Sequence, residues 1–251
     1  MEKLKKIIKN NEFLYNTYIL SKKSRALLKD FFYLVDCKCL YFLIRKKRLV
    51  NKLKKIDKLN VGCGNDFVKG WLNICLSQDM HYGDIKVKNG ALVLNFDMTD
   101  KLPLTENSIT YIYASHFIEH LTFQEGIKML KRCYKTMKKG GIIRLTFPDM
   151  GLWIKNYYEN NLQFFEKYKS FLPDGEKSIA KTKGEIFMSQ VHGWEHKWNY
   201  DFESMKHVLE KVGFSQTTKK KAFESSIPDI KEIEPYREIR IFETAYVEAI
   251  K

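Results

Sequence analysis

The hydrophobic pattern of the chain changes at Lys58. From that residue onward, short apolar runs alternate with stretches in which apolar residues recur at helical spacing. The apolar runs are predicted strands, and they lie at residues 59–62, 70–76, 91–96, 108–114, 142–147, 216–223 and 240–247. Strands that alternate with helices form parallel sheets, because each connecting helix covers one face. The pattern therefore predicts an α/β fold over residues 58–251, with a seven-stranded, mostly parallel sheet and helices on both faces.

Glycine or a polar residue stands where each of the first five predicted strands ends. The first strand stops in Gly62-Cys63-Gly64, and glycine lets a backbone turn sharply without placing a side chain in the way. The later strand ends carry Cys75, Asp97, Ser115 with His116, and Asp149. Because the carboxyl ends of parallel strands open into one crevice, these residues are predicted to surround a single ligand site.

Residues 151–200 do not follow the alternation. They are rich in aromatic residues, from Trp153 to Tyr200, and they include His192 and His196. We predict an insertion after strand five that lies over the crevice and supplies the substrate pocket.

Residues 1–57 predict a separate helical extension. They contain no proline or glycine, and apolar residues such as Leu4, Ile7 and Ile8 recur at helical spacing. Residues 1–58 hold 17 Lys/Arg and 5 Asp/Glu, so this segment carries most of the formal net charge of +14. The charge predicts either a patch for anionic lipid, nucleic acid or an acidic partner, or simply a solvated helical surface.

The composition predicts a cytoplasmic protein. Hydrophobic residues make up 44% of the chain, which is enough for a core. The five cysteines are odd in number and scattered, which favours a reducing compartment over a disulfide framework. No apolar run reaches the roughly 18 residues of a membrane-spanning helix, so only peripheral membrane contact is expected.

Several ordered motifs are similar to those of class I S-adenosylmethionine-dependent methyltransferases, which have a Rossmann-like fold. The motifs span about residues 58–214, and they are the glycine turn at 59–65, Gly-Trp at 70–71, Asp97, the segment 115–121, Lys-Lys-Gly-Gly at 138–141, Phe-Pro-Asp at 147–149 and His-Lys-Trp-Asn-Tyr-Asp at 196–201. Each motif is weak, but the ordered set is specific. Hydride transfer is disfavoured, because the glycine turn lacks the later glycine of dinucleotide-binding proteins.

The resemblance implies that S-adenosylmethionine is the cofactor. It implies cofactor contacts at the strand ends, from Asn60, Gly62, Cys63, Gly64, Asn65, Cys75, Leu76, Asp97, Met98, Ser115 and His116. Glycine-turn residues would hold the methionine end, and Asp97 with Met98 would hold the adenine. Cys75 stands where relatives usually carry the acid that binds ribose, so Asp79 or Asp84 must replace it or ribose binding is weaker.

His196 is the first candidate for the catalytic base and His116 the second, because imidazole titrates near neutral pH. Substrate contacts are expected from His192, Trp194, Lys197, Tyr200 and Asp149. An acceptor that is already anionic needs no base, and Lys197 or Arg144 would then position its charge. Glu119 and His120 are expected to open a helix. We expect no metal, since His192 and His196 have no third ligand beside them.

The sequence therefore predicts methyl transfer to an oxygen of a small polar acceptor. The resemblance to methyltransferases of capsule and surface polysaccharide gene clusters implies a sugar, phosphate or phosphoramidate group. Two alternatives remain open. One is a non-catalytic methyltransferase-like subunit that pairs with an active paralogue. The other is RNA methylation, which is disfavoured because the basic segment lies outside the catalytic domain and no base-flipping motif is present. A homodimer is also compatible with the sequence.

Overall fold

The computed structural model describes residues 46–251. Most of the predicted N-terminal extension, residues 1–45, lies outside the described residues. The described part begins with helix α1 (Lys46–Leu53), whose Leu49 and Leu53 are buried in the main core. Among residues 46–251, no helix has the length and apolar character needed to cross a membrane.

One sheet organises the described chain. Its strands are β1 (Lys58–Val61), β2 (Leu72–Cys75), β3 (Ile85–Lys88), β4 (Ala91–Asn95), β5 (Ile109–Ser115), β6 (Met137–Pro148), β7 (Ser215–Lys220) and β8 (Thr244–Ile250). Their order across the sheet is β3-β4-β2-β1-β5-β6-β8-β7. The five central strands β4, β2, β1, β5 and β6 are parallel, and the outer pairings are antiparallel. Their carboxyl ends therefore meet on one edge, as the sequence predicts.

Among the described residues one helix, α2 (Phe123–Thr136), connects two of the parallel strands, and most of the others lie between β6 and β7 or between β7 and β8. The helices after α2 are α3 (Met150–Tyr158), α4 (Leu162–Phe171), α5 (Asp174–Ile179), α6 (Lys183–His192), α7 (Phe202–Val212), α8 (Ile230–Ile233) and α9 (Glu238–Glu243). Short 3₁₀ helices occupy Ile118–His120 and Gly193–Glu195. Asp201 caps α7, and Gly213 ends it in a left-handed conformation with φ 118°.

The prediction of seven strands is wrong for residues 46–251, which form an eight-stranded mixed sheet. The additional strand is β3, which pairs antiparallel with β4 across Asn89-Gly90. These two residues have φ of 50° and 75°, as a tight hairpin turn requires. Asn-Gly is a hairpin signal in sequence, but Val87 is 70% exposed, so this edge strand has no apolar run to reveal it.

The last predicted strand, residues 240–247, is also wrong in its position. Residues Glu238–Glu243 form helix α9, and the strand begins at Thr244. The Lys-Lys-Gly-Gly motif at residues 138–141 belongs to β6, which starts directly after α2 and before the predicted strand start at residue 142.

Three clusters of buried side chains hold the described part of the fold together, and the smallest of them surrounds Trp71 and Tyr113. The main core packs α1, α2 and α7 against the central strands. The segment between β6 and β7 has its own aromatic cluster, in which Trp153 packs edge-on against Phe164, Phe165 and Tyr168. The predicted insertion is thus a helical layer, α3 to α6, with a core of its own.

Arg144 has a structural role instead of the suggested substrate contact. Its guanidinium group is fully buried and donates to Glu234 at 2.6 Å and to Glu248 at 3.0 Å. A buried charge is stable only when it is paired and hydrogen-bonded in this way. Arg144 lines neither of the two cavities described below.

Candidate active site

The turn after β1 brings the backbone close to the carboxyl end of β5. Gly62 and Gly64 have φ of 65° and 51°, in the left-handed region that favours glycine. A Cβ atom on Gly62 would lie 2.1 Å from the ring of Phe117, whereas nothing lies within 4 Å of a Cβ on Gly64. Gly62 therefore permits close packing, and Gly64 leaves open space beside the turn.

Two buried asparagines hold the loop that follows this turn. Asn60 Nδ2 donates to the carbonyl of Asp66 at 2.8 Å and to Asn73 Oδ1 at 2.9 Å. Asn73 Oδ1 also accepts from the backbone N–H of Val68 at 2.7 Å. The amide group of Asn60, a predicted cofactor contact, is thus used to shape the loop.

A first cavity of about 260 Å³ opens beside the glycine turn. It is lined by Asn60, Gly62, Cys63, Gly64, Asn65, Asp66, Tyr113, Ser115, His116, Pro235, Arg237 and Arg240. The structure thus brings together seven of the predicted cofactor residues, which come from the ends of β1 and β5. We call this space the cofactor cavity.

A second cavity of about 400 Å³ adjoins the first, because both have His116, Arg237 and Arg240 in their walls. Its other lining residues are Glu119, His120, Pro148, Trp194, His196, Ile239 and Glu243. The predicted bases His196 and His116 and the predicted substrate residue Trp194 therefore share one space. We call it the acceptor cavity.

Two arginines in the wall between the cavities were not indicated by the sequence pattern. Arg237 donates to Asp66 Oδ1 at 2.6 Å, and Arg240 donates to Ser115 Oγ at 3.0 Å. Arg240 lies in α9, within the stretch predicted as a strand. No local motif marks them, because they reach the site only through the packing of the C-terminal segment on the sheet edge.

The buried Glu119 lies next to the half-buried His116 in the wall of the acceptor cavity. Glu119 is 1% exposed, and its Oε1 lies 3.3 Å from His116 Nδ1. The other ring nitrogen of His116, Nε2, lies 2.8 Å from Thr244 Oγ1. Burial on its own would raise the pKa of Glu119, but the interactions with His116, with the backbone and with His120 together outweigh burial, and the net shift is downward. Glu119 is therefore a buried carboxylate at neutral pH.

The orientation of His196 is set by one backbone group. Its Nδ1 lies 2.8 Å from the carbonyl oxygen of Gln190, and a carbonyl can only accept, so Nδ1 carries the proton. Nε2 of the neutral ring then has a free lone pair. Burial lowers the pKa of His196, against the opposing effects of the Gln190 hydrogen bond and Glu119. The ring is therefore biased towards its neutral form.

Glu243 is a second buried carboxyl group in the acceptor cavity, and the sequence analysis did not single it out. Burial raises its pKa to about 8, and the Glu119 charge acts in the same direction. The indole of Trp153 and the charge of Arg240 oppose this shift. Glu243 is therefore protonated at neutral pH and can release a proton only in mildly alkaline solution.

Two thiols interact beside the cofactor cavity. The hydrogen bond from Cys63 lowers the pKa of Cys75 to about 7, and the same contact raises the pKa of Cys63. Burial opposes the shift at Cys75, while Lys88 supports it. Cys75, at the end of β2, is therefore partly a thiolate at neutral pH.

The remaining predicted site residues lie outside the lining of both cavities. Leu76 is 67% exposed, Met98 is buried, and the Asp97 carboxylate accepts from the backbone N–H of Thr99 at 2.8 Å.

Among the predicted substrate residues, Asp149 caps α3 and pairs with Lys219 at 2.8 Å. Tyr200 is buried, whereas His192, at the end of α6, and Lys197, on the loop that carries His196, are exposed. Asp79, suggested as a replacement for the ribose acid, pairs with Lys88 at 3.2 Å.

The cofactor cavity fits the amino-acid end of S-adenosylmethionine. The backbone N–H and C=O groups of the glycine turn suit its zwitterionic amino acid, and the open space beside Gly64 allows a close approach of the ligand. A thiolate at Cys75 cannot replace a carboxylate as a strong acceptor for ribose hydroxyls. The fit is therefore better at the methionine end than at the ribose.

A parallel sheet with a glycine turn after β1 and a ligand cavity along its carboxyl edge defines a Rossmann-like, cofactor-binding α/β enzyme. Residues 59–145, from β1 into β6, match the family model described as a methyltransferase domain. The protein is accordingly a methyltransferase that uses S-adenosylmethionine as its cofactor. No curated protein matches the sequence.

Solved structures of methyltransferases are similar to this chain at low sequence identity. One from Archaeoglobus fulgidus is 17% identical, with a TM-score of 0.45, over 82% of this chain and 91% of that one. One from Thermotoga maritima is 18% identical, with a TM-score of 0.45, over 94% and 97%. Phosphoethanolamine N-methyltransferase 2 from Haemonchus contortus is 13% identical, with a TM-score of 0.44, over 83% and 52%. Similarities at this level say nothing about the acceptor of this protein.

Proposed function

We propose that the protein methylates an oxygen atom of a small, anionic, polar acceptor. The resemblance seen in the sequence supports a sugar, phosphate or phosphoramidate group of a capsule or surface polysaccharide precursor. S-adenosylmethionine supplies an electrophilic methyl group when it is bound. The residues of this chain must then hold the acceptor, orient it and handle its proton.

The observation that carries this proposal is the pair of arginines between the two cavities. Arg237 and Arg240 face both the cofactor cavity and the acceptor cavity. Asp66 contacts both of them, at 2.6 Å and 3.7 Å, so one carboxylate offsets two guanidinium groups. The wall therefore keeps a positive charge, and a guanidinium group matches the geometry of phosphate oxygens.

The histidines supply the proton chemistry for an acceptor that enters as a hydroxyl. His196 Nε2 has its lone pair free, and we assign it the role of proton acceptor. His116 lies in the walls of both cavities, next to the place where the two meet. We assign His116 the role of orienting the reacting groups, with its ring held between Glu119 and Thr244.

Trp194 provides the apolar part of the acceptor cavity. Its side chain is 49% exposed in the cavity lining. An aromatic ring beside positive groups suits a sugar, whose C–H face packs on the ring while its phosphate pairs with arginine. His192 and Lys197 flank this loop and are proposed to contact the acceptor from the solvent side.

The test compares acceptors that differ in one feature. The purified full chain is incubated with methyl-labelled S-adenosylmethionine and with a sugar 1-phosphate, a nucleotide-linked sugar, the same sugar without phosphate, or phosphoethanolamine. We expect label on the phosphate-bearing sugars, with the methyl group on oxygen by mass spectrometry and NMR. Transfer only to the amine, or equal transfer with and without phosphate, would contradict the proposal.

A further inference from the structure

Three potential metal ligands come together in the acceptor cavity from two distant segments. Glu119 and His120 lie in the 3₁₀ helix after β5, and His196 lies in the loop after α6. The backbone N–H groups of Lys197 and Trp198 donate to the Glu119 carbonyl at 2.8 Å and 3.1 Å, which fixes the loop against the 3₁₀ helix. The ligand atoms of the three side chains all lie within 4.8 Å of one another.

The carboxylate of Glu119 has one close polar neighbour within residues 46–251, the His116 ring, and no full hydrogen bond. Neither of its oxygens accepts a hydrogen bond of normal geometry, and the closest contact is the 3.3 Å approach of His116 Nδ1. Its side chain is 1% exposed, so water does not compensate for the missing bonds. An unsatisfied buried carboxylate is destabilising, and one directed at two imidazole rings indicates a missing positive ligand.

His196 is held as metal-bound histidines commonly are, with one ring nitrogen on a protein acceptor. Its Nδ1 donates to the backbone carbonyl of Gln190, which leaves Nε2 of the neutral ring as the nitrogen that can bind a cation beside the cavity that His196 lines. The ring of His120 meets that of His196 edge-on, with centroids 5.2 Å apart. The two imidazole groups therefore lie side by side next to the carboxylate.

We propose that Glu119, His120 and His196 bind a divalent transition-metal cation. Two imidazole groups and one carboxylate are the donor set of Zn²⁺, Co²⁺ and related cations with open coordination positions. Mg²⁺ and Ca²⁺ prefer oxygen ligands and fit this set poorly. The sequence could not show this site, because only the fold brings residues 119–120 next to residue 196.

The cation gives the acceptor cavity a further function, and this part rests on the proposed function. The cavity of about 400 Å³ lies next to the three ligands, with Arg237 and Arg240 on its wall. A cation held there attracts an acceptor oxygen and makes its proton easier to lose. His196 then acts as a ligand, and the proton of the acceptor passes to the solvent.

The first test measures binding of the cation alone. The full chain is freed of metal and titrated with Zn²⁺ by calorimetry and with Co²⁺ by visible absorption, with Mg²⁺ for comparison. We expect one Zn²⁺ or Co²⁺ per chain and at least 100-fold weaker binding by Glu119→Gln, His120→Asn and His196→Asn. His192→Asn is the matched control, because His192 is exposed, lies four residues away and lines neither cavity.

A stability measurement separates lost ligation from lost folding. Glu119→Gln replaces a buried charge by a neutral amide of the same shape, so its Tm in chelator should equal or exceed that of the wild type. Added Zn²⁺ should raise the Tm of the wild type and of His192→Asn, but not that of Glu119→Gln. No saturable binding by the wild type, or equal binding by all the variants, would overturn the inference.

Activity distinguishes the two proposals. Cation binding without transfer to any oxygen acceptor would overturn the proposed function and leave the metal site standing. Full transfer activity in chelator, together with no cation binding, would overturn the metal site and leave the proposed function standing.

Discussion

Arg240 Nη1 donates to Ser115 Oγ across 3.0 Å, and this bond joins α9 to the carboxyl end of β5. Ser115 Oγ also accepts from the hydroxyl of Thr146 on β6 at 2.9 Å. The guanidinium group is therefore held at the junction of the two cavities by the strands that form their floor. A C-terminal residue, remote in sequence from the glycine turn, completes the site.

Replacing Arg240 should affect charged acceptors selectively. Arg240→Gln removes a charge-assisted hydrogen bond worth about 1.5–3 kcal/mol, so kcat/KM for a phosphate-bearing acceptor should fall by about 10- to 100-fold. A neutral acceptor should be affected much less. Steady-state kinetics with a sugar phosphate and its dephosphorylated form measure the difference.

The matched control is Arg132→Gln on α2, since Arg132 lines neither cavity. It should leave both kinetic constants unchanged. An equal loss for charged and neutral acceptors in Arg240→Gln would assign Arg240 to cofactor binding or to folding instead of acceptor recognition.

The two glycines of the first turn should respond differently to the same substitution. Gly64→Ala meets no neighbouring atom and costs about 1 kcal/mol for its positive φ. Gly62→Ala adds a Cβ atom 2.1 Å from the Phe117 ring, so the turn must move as well. We expect Gly62→Ala to lose a further ~2 kcal/mol of unfolding free energy and to bind S-adenosylhomocysteine far more weakly.

Urea unfolding and calorimetry with S-adenosylhomocysteine test this pair. Comparable stability and affinity in the two variants would show that Phe117 gives way easily and that close packing at Gly62 is unimportant.

Local patterns in the sequence were sufficient to predict the parallel core of the fold. The apolar runs, the glycine turn and the polar strand ends each depend on neighbouring residues, and the structure places the ends of β1 and β5 around one cavity. Contacts between segments that are distant in the sequence leave no local pattern of this kind. The approach of His196 to Glu119 depends on backbone hydrogen bonds from Lys197 and Trp198, which sequence spacing does not reveal.

The C-terminal segment shows the same limit of prediction from local sequence patterns. Residues 240–247 have the composition of a strand, yet the first of them form α9, where Arg240 and Glu243 face the cavities. Residues 240–243 adopt a helix because this segment packs on the sheet edge, and that packing overrides their intrinsic preference for a strand. The signal that was available and overlooked is Asn89-Gly90, which marks the β3–β4 hairpin.

Cys75 should be the most reactive cysteine among residues 46–251. The Cys63 hydrogen bond lowers its pKa to about 7, whereas burial raises the pKa of Cys133 to about 12. Alkylation of Cys75 by iodoacetamide should therefore rise with pH around a midpoint near 7, because only the thiolate reacts. Peptide mapping by mass spectrometry separates Cys75 from Cys37 and Cys39.

Cys63→Ser tests whether the Cys63 hydrogen bond causes the low pKa of Cys75. A serine hydroxyl is a different hydrogen-bond donor from a thiol, so the pH midpoint of Cys75 alkylation should move in this variant. Cys133 serves as the internal reference and should stay unmodified in the folded protein. S-adenosylhomocysteine should slow the reaction at Cys75 if the ribose end of the cofactor covers β2. A midpoint near that of an ordinary thiol would contradict the Cys63–Cys75 interaction.

Glu243 should make the protein less stable as the pH rises. Burial raises its pKa in the folded state to about 8, whereas an unfolded Glu titrates near 4.5, so the folded state binds more protons between these values. The free energy of unfolding should therefore fall as pH increases from about 4.5 to 8 and level off above that. Glu243→Gln cannot ionise, and at pH 9 it should be more stable than the wild type by on the order of 3 kcal/mol.

Urea unfolding from pH 5 to 9 in chelator measures the effect, with Glu203→Gln on the exposed surface of α7 as the control. A parallel pH dependence in the wild type and in Glu243→Gln would place the titrating group elsewhere.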